Sequence, residues 1–153
     1  MEGPNITASA IISFAEMIED RASTFYEELA ERFAESKETF LTFAQAGRKN
    51  KTLVTRTYQE TITDALEACF SFEGLNLEDY EAKATLAEET GYSEALEIAI
   101  TLEEHACKFY LDVAERSESL LATIPMAFRR VAKKRGKRKL KLQSLLDEAT
   151  TGS

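Results

Sequence analysis

The chain of 153 residues has no tryptophan, one histidine, two cysteines, two prolines and six glycines. Each scarcity removes a class of protein. Cys69 and Cys107 stand too far apart for a C-x-x-C pair, which excludes a zinc ribbon, a rubredoxin knuckle and a dense disulfide framework. A reducing cytoplasm is the expected location. So few glycines and prolines leave too little turn chemistry for a β-sandwich. No run approaches the roughly 18 consecutive apolar residues that a membrane span needs, and the N-terminal stretch lacks the charged and apolar segments of a secretion signal. No integral membrane association is expected.

What is present is a chain with 44% apolar and 30% charged residues, a balance that supports a folded core rather than a disordered polymer. Its net charge of -8 is unevenly spread, because nine of the 19 basic residues fall within Arg129 to Lys141. Apolar residues recur at three- and four-residue steps and never alternate, so the expected fold is all-α with no strand. Four helices are expected: Thr7 to Glu35; Ser36 to Phe70, capped by Ser36; one beginning near Ser93 as N-cap and ending near Glu118; and one from about Pro125 to Glu148. The stretch Ser71 to Tyr92 is long enough to cross the length of a bundle, with a short helix expected within Leu77 to Glu88. The predicted architecture is therefore a four-helix bundle of two antiparallel hairpins joined by a long crossover. It forms a single domain over 1–149 with a disordered tail over 150–153.

The two halves are related. At an offset of 84, Ala99, Glu103, Ala106, Phe109, Tyr110, Ala114, Glu115 and Arg116 fall on identical residues in the first helix. The second and fourth helices match more weakly, pairing Phe40 with Phe128 and Ala44 with Ala132. A repeated hairpin is the simplest explanation.

Following the seam positions inward, the first helix presents Glu19 and Tyr26, and the third presents Glu103 and Tyr110 in the same register. The second presents Gly47 and Asn50, and the fourth Arg135 and Arg138. All four seams turn polar or small at one level. Two buried carboxylates without partners would be costly, whereas two guanidinium groups bring the layer to zero net charge. Glu19 and Glu103 are expected to pair with Arg135 or Arg138, and Tyr26 and Tyr110 to lie beside them.

The segments Glu19-x-x-Ala22-x-x-Phe25-Tyr26 and Glu103-x-x-Ala106-x-x-Phe109-Tyr110 resemble the E-x-x-A-x-x-[FW]-Y signature of the rubrerythrin-like branch of the ferritin-like superfamily. The resemblance spans nearly the whole chain. It implies a bundle that holds two iron ions between carboxylates and acts on peroxide, dioxygen or ferrous iron. Such a site draws a Glu from each of two helices and a Glu-x-x-His from each of the other two. Where the family pattern requires Glu-x-x-His, this chain has Gly47-Arg48-Lys49-Asn50 and Arg135-Gly136-Lys137-Arg138. Shifting the register by one residue brings in Arg48 with Lys51 and Gly136 with Lys139, which restores no ligand. The only histidine, His105, lies two residues after Glu103 and so turns away from the seam.

The leading expectation is thus a non-catalytic structural or interaction module with no cofactor and a degenerate di-iron site, assembled as a homodimer by analogy. An atypical ferroxidase or peroxidase is the alternative, with iron held by Glu19 and Glu103 and with Glu16, Asp20 and Glu104 nearby. A third reading makes Arg129, Arg130, Lys133, Lys134, Lys137 and Lys141 a polyanion-binding face rather than a solvated one. The two cysteines lack a nearby base and read as free thiols, not nucleophiles.

Overall fold

The computed structural model describes residues 6–61, 71–72, 75–81, 85–116 and 123–151. Four long helices dominate it: α1 (Ala8–Arg32), α2 (Lys37–Thr61), α3 (Tyr92–Arg116) and α4 (Thr123–Thr151). Thr7 starts α1 by accepting a hydrogen bond from the Ala10 amide on its Oγ1 at 3.1 Å, which satisfies one of the free donors of the first turn. The helix ends at Phe33, whose backbone leaves the helical region at φ -124° and ψ 86°. One 3₁₀ turn, Ala34–Ser36, then leads into α2.

So short a connection forces α2 back along α1. Polar contacts follow the antiparallel register, from Glu27 with Arg48 through Asp20 with Lys51 to Glu16 with Thr55, and Ser23 reaches back to the Ala44 carbonyl. The second hairpin has the same sense, with Lys139 on Glu104 and the Cys107 thiol on the Ala132 carbonyl. The hairpins meet mainly along α2 and α4, and more sparsely along α1 and α3.

The segment joining the hairpins is tied down at several points. Tyr80 sits in a 3₁₀ turn, Leu77–Tyr80, begun by Asn76, whose side chain accepts from the Glu78 amide at 3.1 Å. Its ring meets Phe109 edge-on at 5.5 Å between centroids, and its hydroxyl donates to Asp112 at 2.7 Å. Further on, the Arg32 guanidinium donates to the Ala87 carbonyl at 2.7 Å.

Among the described residues the apolar core forms two clusters. One contains Ile11, Phe14, Val54, Phe109, Val113, Phe128 and Val131; the other contains Phe25, Leu29, Phe40, Leu96, Ala99 and Leu142. Each fully buried Phe or Leu contributes about 1.5–3 kcal/mol, so the clusters supply most of the drive to pack. Along every helix the chain passes from one cluster to the other through the same level. On α1 that level falls between Ala15 and Ala22, and on α4 between Ala132 and Leu142.

The helices depart from expectation at their ends. The first stops at Arg32 rather than Glu35, because the 3₁₀ turn intervenes. The described part of α2 ends at Thr61, so the expected continuation to Phe70 lies outside the described residues. The third begins at Tyr92, which puts Ser93 inside its first turn rather than at the cap. Ser36 exchanges a 2.6 Å hydrogen bond with the Tyr92 hydroxyl, linking the turn of one hairpin to the start of the other. The fourth helix opens at Thr123 and runs through Thr151, into the stretch expected to be a tail. Of the short helix expected within Leu77 to Glu88, only the 3₁₀ turn is seen among the described residues.

One element was not expected at all. A two-residue strand, β1 (Ile6–Thr7), pairs antiparallel with β2 (Ser71–Phe72), which joins the entry to α1 to the start of the crossover. A non-local pairing this short leaves no periodic trace in the sequence.

Candidate functional site

The level where the core clusters part is filled by charge. Glu19 is 1% exposed, Glu103 and Arg135 are 0%, and Arg138 is 4%, so the group is cut off from bulk water. Its placement follows from helical periodicity. Glu19 lies four residues after Ala15 and three before Ala22, and Glu103 repeats that spacing between Ala99 and Ala106, so each carboxylate must enter the seam those alanines line.

Arg135 stands at the centre. Its Nη1 donates to both oxygens of Glu103, at 2.6 and 2.9 Å, and its Nη2 donates to Glu19 Oε1 at 2.5 Å. One planar guanidinium thus bridges carboxylates from two helices, a geometry its forked donors suit and a lysine could not reproduce. The two carboxylates hold the Arg135 cation well above the usual arginine range. Burial opposes the charge, and the fields of Glu103 and Glu19 overcome it.

Arg138 completes the layer from one helical turn further on. Its Nη1 donates to Glu103 Oε1 at 3.1 Å, and its guanidinium lies over the rings of Phe43 and Tyr26, at 5.1 and 5.5 Å from their centroids. Aromatic faces stabilise a cation that has left water. Two carboxylates and two guanidinium groups sum to zero charge.

The tyrosines close the layer reciprocally. Tyr26 on α1 donates to Glu103 on α3 at 2.8 Å, and Tyr110 on α3 donates to Glu19 on α1 at 2.6 Å. Since Glu103 and Tyr110 are the counterparts of Glu19 and Tyr26 in the sequence repeat, this exchange is what a pseudo-twofold relation between the hairpins requires. Burial first, and then the adjacent carboxylate charge, push both phenols well above the ordinary tyrosine range, so both remain donors.

The second and fourth helices break that symmetry. Both cations come from α4; the corresponding positions on α2 are Gly47 and Asn50. Asn50 is fully buried and approaches Glu19 Oε1 with its Nδ2 at 3.4 Å, a marginal hydrogen bond. A Cβ at position 47 would stand 2.5 Å from Ser23 Oγ and 3.5 Å from Glu19 Oε1. Gly47 therefore permits the close approach of α2 to α1 beside Glu19. Ser23, which no sequence argument singled out, holds this contact by donating to the Ala44 carbonyl at 2.8 Å. Its only advance signal was its place one turn after Glu19 in a row of small residues.

The layer is not suited to a pair of metal ions. It offers two carboxylates and no imidazole; guanidinium nitrogens already occupy both oxygens of Glu103 and Oε1 of Glu19, and the Tyr110 hydroxyl occupies Glu19 Oε2. Among the described residues, no three or more His, Cys, Asp or Glu side chains are grouped to hold a metal ion. The extra carboxylates of the enzyme reading face elsewhere. Asp20 pairs with Lys51 at 3.0 Å, Glu104 with Lys139 at 3.2 Å, and Glu16 accepts from Thr55 at 3.0 Å. His105 is half-buried on α3, and its Nδ1 has no hydrogen-bond partner among the described residues. Burial raises the half-buried Cys107 thiol above its ordinary range, which works against a thiolate nucleophile. Cys69 lies outside the described residues.

Of the nine basic residues of α4, Arg135 and Arg138 turn into the core, Lys139 is half-buried and pairs with Glu104, and Arg129, Arg130, Lys133, Lys134, Lys137 and Lys141 are exposed. No helix among the described residues is long and apolar enough to cross a membrane. Comparison with family models, with curated proteins and with solved structures returns no match to this chain.

Proposed function

We propose that this chain is a ferritin-like bundle of the rubrerythrin type whose di-iron site has been replaced by fixed cations, leaving a non-catalytic structural or interaction module. The supporting observation is Arg135. Its guanidinium lies between Glu19 and Glu103, the two residues the resemblance marks as metal ligands, and it starts the segment that replaces a Glu-x-x-His. The physical logic is a substitution of like charge: side-chain cations neutralise carboxylates that metal ions would otherwise bridge. Charge balance is kept while redox chemistry and open coordination positions are lost.

In this reading the chain works through its surface, in a reducing cytoplasm, and the buried layer sets how the hairpins dock. Ionic layers of this kind fix register more than they add net stability, because the cost of desolvating the ions offsets much of their attraction. The test is elemental analysis of protein purified from iron-, manganese- and zinc-supplemented cells, together with ferroxidase and peroxidase assays. The expected result is substoichiometric metal and no turnover. Stoichiometric iron with turnover would overturn the reading in favour of an atypical oxidoreductase.

A further inference from the structure

Charge is segregated across the bundle. The α1 and α3 sequences each carry six acidic and two basic residues, whereas α2 carries five basic and two acidic, and α4 nine and two. Because α2 packs on α4, one side of the molecule is basic, and the acidic helices lie on the other. Between Arg129 and Lys141 there is no acidic residue.

The outermost line of α4 adds a second feature. Stepping by three and four residues on the side opposite Phe128, Arg135 and Leu142 gives Met126, Arg130, Lys133, Lys137 and Leu140. Met126 is 65% and Leu140 69% exposed, more than any other large apolar side chain described. They lie about 21 Å apart along the axis at 1.5 Å per residue, with cations between them. Arg130, Lys133, Lys134, Lys137 and Lys141 are exposed, and none makes an ion pair among the described residues.

We propose that this face of α4 docks on an anionic lipid surface, the helix lying flat with Lys and Arg at the headgroups and Met126 and Leu140 entering the interface. Lipid is the occupant that uses both features. Acidic headgroups neutralise the cations, and the acyl boundary takes up two side chains otherwise held in water. A nucleic acid would engage only the cations, leaving Met126 and Leu140 idle, and this line offers no aromatic ring for base stacking. A second copy presenting its acidic side would bring carboxylates but, among exposed large apolar residues on α1 and α3, only Leu111. The net charge of -8 does not forbid docking, because acids on the far side lie beyond a screening length of about 8 Å in physiological salt.

This inference rests on reading the chain as an interaction module, yet the two fail separately: the metal analysis reports on the core and lipid binding on the surface. The experiment is flotation of the full chain with vesicles of equimolar phosphatidylcholine and phosphatidylserine, and with vesicles of phosphatidylcholine alone. Duplex DNA retention and analytical ultracentrifugation run in parallel. Binding to the anionic vesicles only is expected. Lys133→Ala/Lys137→Ala should weaken it about 25-fold, taking about fivefold per charge. Met126→Ser/Leu140→Ser should weaken vesicle binding while leaving DNA retention and the circular dichroism spectrum unchanged. Lack of binding to anionic vesicles overturns the proposal. So does binding that ignores Met126→Ser/Leu140→Ser but is competed by DNA, which would indicate a nucleic acid. Self-association abolished by the same two substitutions, without lipid binding, would assign the face to a second copy.

Discussion

Replacing Arg135 with methionine keeps much of the side chain's length and removes the charge that bridges Glu19 and Glu103. Among the described residues only Arg138 is then left to balance the two buried carboxylates, and of the two it bonds Glu103. Removing one partner of a buried ion pair costs about 3–5 kcal/mol, chiefly through the charge left behind. In a domain of this size each kcal/mol moves the midpoint by about 2–4 °C, so Arg135→Met should melt about 6–20 °C below the parent. The second variant is the informative one. Arg135→Met/Glu19→Gln removes one charge of each sign, leaves Glu103 facing Arg138, and keeps an amide near Tyr110 and Asn50. It should recover a large part of the loss despite carrying two changes. Calorimetry of the parent and the two variants reads the effect. A double variant no more stable than Arg135→Met would refute the claim that charge balance governs this layer.

Gly47→Ala sets about 1 kcal/mol of helix propensity against about 1–3 kcal/mol of overpacking. The 2.5 Å approach to Ser23 Oγ makes overpacking win, so denaturant titration should show net destabilisation, relieved when Ser23→Ala removes the colliding atom. The raised phenols of Tyr26 and Tyr110 give an alkaline signature. Unfolded tyrosines ionise near pH 10 while these two stay protonated in the fold, so the unfolded state loses protons first and stability falls as pH rises beyond about 10. Absorbance titration should show both phenols ionising only as the helical circular dichroism signal collapses; ionisation in the intact fold would count against their hydrogen bonds to glutamate.

Much of the layer was legible because it obeys a single periodicity. Three- and four-residue steps from Ala15 and Ala99 place Glu19 and Glu103 in facing seams, and the same steps through Phe128 and Val131 reach Arg135 and Arg138. Charge balance then links the two sets. Which residue pairs with which was not legible. That Tyr26 crosses to Glu103 while Tyr110 returns to Glu19 depends on the spacing and stagger of α1 and α3, which a one-dimensional pattern does not encode. The contact of Gly47 with Ser23 was hidden for the same reason, since a small residue in a seam reads alike whether it permits a close approach or simply leaves the core thin. Helix interiors followed the apolar pattern, but the ends did not. The break at Phe33, the bond from Ser36 to Tyr92 and the pairing of β1 with β2 are tertiary choices among residues with weak local preferences.

The most direct test of the proposed exchange of metal ions for arginines is a crystal structure with anomalous diffraction recorded above the iron, manganese and zinc edges. The Arg135 guanidinium should appear between Glu19 and Glu103, with Arg138 stacked on Phe43 and no anomalous peak within the bundle. A metal peak coordinated by Glu19 and Glu103, with Arg135 and Arg138 turned outward, would contradict it.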